Sequence, residues 1–264
     1  MDGEQRNPST PSLQRLSFET DAGEGARARM GLLVLESDQS VEAEFRALLN
    51  PLPDVSVYHA RLANDTQVTP ETLARMEKEL PVAASLIPGY MGLSVVGYGC
   101  TSGSTIIGED RVAEIMTTAH PGAAATNPLT AAKAALAALG IQNLALLTPY
   151  TPDVTLAMQA NFAQSGVSVR VVGSFFEDSD AVVGKIAPQS ILDAALEIGS
   201  DPSVDGVFIS CTSLRAVGII EAAEAALGKP VTASNHALAW HMLRLSGIDD
   251  ALPGRGRLFQ TGLA

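Results

Sequence analysis

Two triplets in the chain carry the same three residues and the means for the same chemistry: Cys100-Thr101-Ser102 and Cys211-Thr212-Ser213. Each follows a short apolar run of strand composition, Val95-Val96-Gly97 in one case and Val207-Phe208-Ile209 in the other. Each also precedes a helical pattern, beginning at about Ser104 in the first copy and running through Leu227 in the second. In an open parallel sheet the crevice lies beyond the carboxyl ends of the strands, where the next helix offers unpaired N–H groups to an anion or a thiolate. A thiol so placed can have its pKa lowered by the helix N-terminus and by neighbouring hydroxyls. One such cysteine would pass as a small core residue. Two at matching positions, each trailed by Thr-Ser, point to function.

A pair of facing thiols suits the inversion of a carbon acid beside a carboxylate, since one base must remove the proton on one face and one acid return it on the other. Thr101, Ser102, Thr212 and Ser213, with their N–H groups, would hold the carboxylate and stabilise the enolate-like charge that develops. The same thiolate could instead attack an activated double bond.

The elements that must position these groups repeat. Gly31 to Leu35 reads as a buried strand, Ser37-Asp38-Gln39-Ser40 as a turn and Val41 to Leu49 as a helix. A strand over Val55 to Ala60 follows, then a helix opened by Thr69-Pro70-Glu71, the strand before Cys100 and a helix to about Thr118. Asn127-Pro128 caps a helix that Gly140 ends. The pattern then restarts with a strand at Leu144 to Leu147, the turn Thr148-Pro149-Tyr150-Thr151-Pro152-Asp153, a helix to Gln164 and a strand over Val167 to Val172. A helix over Pro188 to Ile198 and the strand at Val207 to Ile209 complete the copy. Asp38 matches Tyr150 at an offset of 112, Cys100 matches Cys211 at 111, and Asn127 matches Asn235 at 108. So steady an offset marks an internal duplication.

The expected fold is therefore α/β, with two pseudo-symmetric doubly wound lobes, each built on a mainly parallel sheet of about four strands, and a cleft between them. The expected division is a flexible N-terminal tail over 1–28, an N-terminal lobe over 29–140 and a C-terminal lobe over 141–264, with a helix near 235–247 that could exchange between lobes. A pseudo-twofold axis turns equivalent loops toward each other, which sets Cys100 opposite Cys211.

Composition narrows the function classes. A net charge of −12 with 17 scattered Lys and Arg argues against a nucleic-acid surface. No window reaches the roughly 18 apolar residues of a membrane span, and the polar first 30 residues contain no apolar signal core, so a cytoplasmic protein is expected. Two cysteines in a reducing compartment read as free thiols sooner than as a structural disulfide. His236 and His241, five residues apart, fall on different helix faces, and no metal site is expected. The glycines around Cys100 do not make G-x-G-x-x-G, so neither a nucleotide nor another cofactor is expected. The partner is a small carboxylate substrate, and the default assembly is a homo-oligomer, dimer or tetramer.

The paired Cys-Thr-Ser motifs, the duplication and the Thr-Pro-Tyr-Thr turn resemble the aspartate/glutamate racemase superfamily, and within it the branch of maleate cis-trans isomerases and arylmalonate decarboxylases. The resemblance covers about Gly31 to Phe259. It implies that Cys100 adds to a double bond or acts as one base, that Cys211 is its acid-base partner, and that Tyr150 helps bind a carboxylate. Decarboxylases of the branch have glycine at the first position, so Cys100 speaks against decarboxylation. Two positions where maleate isomerases carry asparagine hold acids here, Asp38 beside Gln39, and Asp180 ahead of Val183-Gly184-Lys185. An ionised Asp beside a dicarboxylate is repulsive, and is better explained by an ammonium group on the substrate or by support of a thiol. Asp38 could equally be a helix cap and Asp180 part of a solvated turn. The segments around Asp38 and Cys100 also resemble the racemase-like proteins of ectoine utilisation. The resulting expectation is a cofactor-independent racemase or isomerase of a small carboxylate or amino-acid derivative. The alternatives are maleate isomerisation by thiolate addition and a non-catalytic ligand-binding protein. A thiol hydrolase would require a histidine, His120 or His236, within reach of a cysteine.

Overall fold

The computed structural model describes residues 13–264. Of the tail expected over 1–28, residues 1–12 lie outside the described residues and 13–27 carry no helix or strand. The first half then runs β1 (Ala28–Leu35), α1 (Val41–Leu49), β2 (Val55–Leu62), α2 (Pro70–Ser85), β3 (Val95–Gly99), α3 (Thr101–Ile107), α4 (Glu109–Ala119), β4 (Ala124–Thr126) and α5 (Pro128–Ala138). The second half follows with β5 (Asn143–Thr148), α6 (Pro152–Gln164), β6 (Ser168–Ser174), α7 (Asp180–Val183), α8 (Pro188–Gly199), β7 (Gly206–Ile209), α9 (Ile220–Leu227), β8 (Val231–Ala233) and α10 (Ser234–Leu245).

Two four-stranded parallel sheets result, ordered β2-β1-β3-β4 and β6-β5-β7-β8. Their central strands are buried on both faces, which is why β1, β3, β5 and β7 read as nearly continuous apolar runs. The order reverses between β1 and β3 and again between β5 and β7, so the loops leaving these four strands open onto the two crevices where ligands bind in such sheets.

Local signals end the elements where they should. Thr69 and Thr72 make a reciprocal capping box at the start of α2, and Asn127 Oδ1 accepts from the N–H groups of Leu129 and Thr130 at the start of α5. Elsewhere the chain departs from the pattern. The helix expected from about Ser104 to Thr118 starts at Thr101 and breaks at Gly108, whose φ of 96° no helix accommodates, giving α3 and α4.

The helix that follows β8 covers the N-terminal sheet. Leu238, Trp240, Met242 and Leu243 of α10 pack with Met30, Leu32 and Val34 of β1 and with Phe45 of α1. The approach is close: a Cβ on Gly97 of β3 would lie 2.7 Å from Met242 Sδ, so any side chain there would have to push the Met242 thioether aside. A second apolar cluster continues from Leu33 and Tyr98 into the β5 and β7 core, which joins the two sheets. Among the described residues no helix is long and apolar enough to cross a membrane.

Candidate active site

Cys100 leaves β3 in extended backbone, φ −147°, as the N-cap of α3. Its Sγ accepts a hydrogen bond from Gly103 N at 3.2 Å and lies 3.6 Å from Ser102 Oγ. Glycine at 103 makes this possible, because a Cβ there would sit 2.5 Å from Tyr98 Oη and 3.0 Å from the sulfur itself. Thr101 Oγ1 shares a 2.7 Å hydrogen bond with Ser234 Oγ, and Ser234 Oγ in turn accepts from Cys211 N at 2.9 Å. One serine thus ties the first cysteine loop to the second.

Cys211 is built differently. Its φ is 113°, a region that side-chain-bearing residues occupy at a cost of about 1–3 kcal/mol and that persists only where the surroundings over-determine it. The surroundings do. Thr212 Oγ1 donates to Gly99 O at 3.2 Å, Asn235 Nδ2 donates to Thr212 O at 2.7 Å, and Ser40 Oγ donates to Ser213 O at 2.7 Å. Glu44 of α1 braces the same loop, accepting from Asn235 Nδ2 at 2.7 Å and from Val217 N at 2.8 Å. The helix expected directly after Ser213 is absent: a turn and a short 3₁₀ segment at Val217–Ile219 come before α9.

Both thiols are free and both line one cavity, together with Thr101, Ser102, Tyr150, Asp180, Thr212 and Ser213. The cavity has room for only about one water molecule. It is closed by a strap between the halves, where Val68 N donates to Asp178 O at 2.8 Å and Asp180 N donates to Thr66 O at 3.1 Å. Tyr150 is 2% exposed, and its hydroxyl meets no partner in hydrogen-bonding geometry among the described residues, although it lies near enough to the Cys211 thiol to favour its thiolate. Asp180 Oδ2 accepts from Ser37 Oγ at 2.8 Å and, at 3.5 Å, from Asn64 Nδ2.

Burial dominates the electrostatics. It pushes the Cys100 thiol up to about 11, against the hydrogen bonds from Ser102 and Gly103 that favour thiolate, and the Asp180 carboxylate pushes in the same direction as burial. Cys211 is driven higher still by burial and then by Asp180, with Tyr150 and the Ser213 N–H opposing. The expectation of lowered thiol pKa values therefore fails in this closed, ligand-free site, because desolvation outweighs the helix end and the hydroxyls. Burial also raises Asp180, with Ser37 opposing, and raises Asp38 against the N–H groups of Val41 and Ser40 and the hydroxyl of Thr212. Glu44 is raised to about 7 by burial, with Asn235 and Val217 opposing.

Eight of the ten residues singled out in the sequence meet in the cavity, and two do not. Asp38 caps α1, its Oδ1 accepting from Ser40 N at 2.7 Å and Val41 N at 2.9 Å; its buried Oδ2 is unpartnered, but the residue is not part of the cavity wall. Gln39 is exposed on the outer side of the same turn. Asn64, Asp65 and Gln67 line the cavity and were missed, although their place just beyond the carboxyl end of β2 is a signal. Glu44 was missed too, although it occupies the apolar face of α1 shared by Val41, Phe45 and Leu48. No histidine bonds a cysteine: His120 pairs with Ala84 O, His236 with Thr232 and Arg255 O, and His241 with Thr126. Among the described residues no group of three or more His, Cys, Asp or Glu is placed to hold a metal ion.

A family model described as arylmalonate decarboxylase matches residues 53–259, most of the chain and both cysteine loops. The chain belongs to the arylmalonate decarboxylase family. Within that family's wider circle, a maleate isomerase of Nocardia farcinica is 30% identical over 246 residues, covering 89% of this chain and 97% of that protein. The arylmalonate decarboxylase of Bordetella bronchiseptica is 31% identical over 140 residues, 52% of this chain and 58% of that one. In three dimensions the chain superposes with a TM-score of 0.81 and 27% identity on a cysteine-to-serine variant of the Nocardia farcinica maleate cis-trans isomerase, covering 88% of this chain and 98% of that one. That variant carries a covalently bound succinylcysteine intermediate. These relatives support the branch expected from the sequence; they lend no support to the narrower likeness to ectoine-utilisation proteins.

Proposed function

We propose that this member of the arylmalonate decarboxylase family is a cofactor-independent cis-trans isomerase of a small unsaturated carboxylate, with Cys100 as nucleophile and Cys211 as proton donor. The observation that carries the reading is the inequality of the two thiols. Cys100 accepts from Gly103 N at 3.2 Å at the head of a helix, which favours thiolate, whereas the Cys211 thiol, in a turn, is driven higher by burial and Asp180 in spite of Tyr150 and the Ser213 N–H and is suited to hold and give a proton. The covalent succinylcysteine in the Nocardia relative supports addition to an alkene over simple proton shuttling.

The Cys100 proton leaves to solvent while the cleft is open. As the cleft closes, the thiolate forms a C–S bond to one alkene carbon and the π pair moves toward the carboxylate-bearing carbon. Hydroxyl and N–H groups of Ser102, Thr212 and Ser213, with the Tyr150 hydroxyl, stabilise that charge. Cys211 then gives its proton to the carbon, the former double bond rotates, Cys211 takes the proton back, and the C–S bond breaks to leave the trans alkene and the Cys100 thiolate.

Racemisation of an amino-acid derivative is the second reading. It is favoured by Asp180 in the cavity wall, which suits an amino group, and opposed by the unequal thiols, since racemisation uses two comparable acid-base groups. The two separate in D₂O followed by ¹H NMR. Conversion of maleate or cis-4-aminobut-2-enoate to its trans isomer, lost in Cys100→Ser, supports isomerisation. Deuterium uptake at the α-carbon of an amino acid with no alkene conversion overturns it.

A further inference from the structure

The cavity wall offers neutral donors suited to one carboxylate and no cationic side chain for a second. Its lining contains no Lys or Arg. Of the cations around it, Arg61 is spent elsewhere, Nη1 donating to the carbonyls of Leu35, Glu36 and Asp38 and Nη2 pairing with Glu42, while Arg75 lines an adjoining pocket that shares Asn64, Asp65, Thr72 and Met76 with the cavity. Neutral donors, the Tyr150 hydroxyl and the Cys-Thr-Ser loops, must therefore hold whatever carboxylate binds. Tyr150 is fully enclosed with its hydroxyl unpartnered, and a buried hydroxyl without a partner marks a place where a ligand completes the hydrogen bonding.

The strap side of the same cavity has the opposite character. Asp180, 6% exposed, is engaged at Oδ2 by Ser37 and Asn64, while its Oδ1 has no partner among the described residues. Asp65, also in the wall, is exposed and has Oδ1 occupied by Gln67 N. Asp38 contributes charge from outside the wall, with its own oxygen committed to capping α1. A second carboxylate brought against Asp180 would meet a like charge in a nearly dry enclosure whose described wall holds no Lys or Arg.

We infer that the substrate carries its carboxylate on one end only and an ammonium group on the other, and that Asp180 is the specificity-determining residue that receives the ammonium. The inference rests on the isomerase reading of the site for the reaction, but not for the binding. It also couples binding to chemistry. The Asp180 carboxylate opposes thiolate formation at both cysteines. A bound ammonium offsets that charge, so the substrate that fits is also the one that eases ionisation of Cys100.

The test uses saturated, unreactive probes that differ only in the distal group, 4-aminobutanoate and succinate, titrated calorimetrically into the wild-type protein at pH 7.5. 4-Aminobutanoate should bind at least tenfold more tightly than succinate, and Asp180→Asn should abolish or invert that ratio. Equal or tighter binding of succinate, no detectable binding of 4-aminobutanoate, or a ratio that survives Asp180→Asn would each overturn the inference. The wild-type ratio stands as a test even if the variant is unstable. Because neither probe has a double bond, failure of the isomerase reading would leave the binding result untouched, and would show separately as no conversion of cis-4-aminobut-2-enoate.

Discussion

Cys100 stands in extended backbone at the head of α3 with Gly103 N bonded to its sulfur, whereas Cys211 stands at φ 113° in a turn with no helix behind it. The two loops share three residues and a place in the fold, and their chemistry diverges at the fourth. Gly103 lets the backbone close on the sulfur, where a Cβ would meet Tyr98 Oη and the sulfur itself; the matching position after Cys211 is the buried Leu214. Duplication has thus preserved where the thiols sit while changing their backbone support: Gly103 N bonds the Cys100 sulfur at 3.2 Å, and the Ser213 N–H does not offset the burial that drives Cys211 higher.

The comparison breaks most sharply at the thiols themselves. Cys100→Ser should remove turnover and covalent adduct together, while Cys211→Ser should lower turnover by roughly 10²–10⁴-fold, the usual worth of a positioned acid, yet still form adduct. Steady-state rates beside intact-protein mass spectrometry separate the two; equal behaviour in both assays would erase the asymmetry.

Next in size is Gly103→Ala. The added methyl meets Tyr98 Oη and the Cys100 sulfur, so a destabilisation of about 1–3 kcal/mol is expected, with slower alkylation of Cys100 than of Cys211 relative to wild type. Leu214→Ala, at the matching position, should lose about 2–5 kcal/mol of stability as a core truncation without changing that relative rate. Chemical denaturation and peptide-level labelling read both.

Tyr150→Phe should affect stability and binding in opposite senses. Removing an enclosed hydroxyl that lacks a partner should raise the ligand-free stability by about 1 kcal/mol, while loss of a donor to a carboxylate should weaken substrate binding by roughly tenfold. A less stable Tyr150→Phe protein with unchanged KM would show that the hydroxyl serves the fold.

A pH-dependent effect concerns Glu44, the brace behind Cys211. Its folded pKa, about 7, lies above the ordinary 4.5, so the stability it confers is full below pH 4.5 and is lost as pH rises through 7, by about 3 kcal/mol at most. His236 and His241, each lowered to about 4 by burial, act in the opposite sense from about pH 4 to 6.5, so the informative quantity is a difference between two proteins. The melting temperature of wild type minus that of Glu44→Gln should fall between pH 5 and pH 8. A flat difference would mean that Glu44 titrates normally.

Much of this arrangement is legible in the chain. Buried parallel strands announce themselves as apolar runs, and the steady offset between Cys100 and Cys211 implies equivalent loops before any coordinates are known. The backbone of Cys211 is not legible from Cys-Thr-Ser, since its φ is imposed by Ser40, Glu44 and Asn235, which lie between 24 and 171 residues away in sequence. The thiol pKa values could not be read either: a helix N-terminus is visible in sequence, but the depth of burial that overrides it is not. Asp38 illustrates a third limit. An Asp at a strand-to-helix turn has both a capping and a ligand-binding explanation; the two N–H groups on Oδ1 supply the first, while the buried Oδ2 is without a partner among the described residues.

The most direct test of unequal thiols is the intact mass of Cys100→Ser and of Cys211→Ser after incubation with cis-4-aminobut-2-enoate and, separately, maleate. A one-substrate adduct confined to Cys211→Ser, and mapped to Cys100, is the predicted result. An adduct that forms in Cys100→Ser but not in Cys211→Ser would reverse the assigned roles and contradict the account.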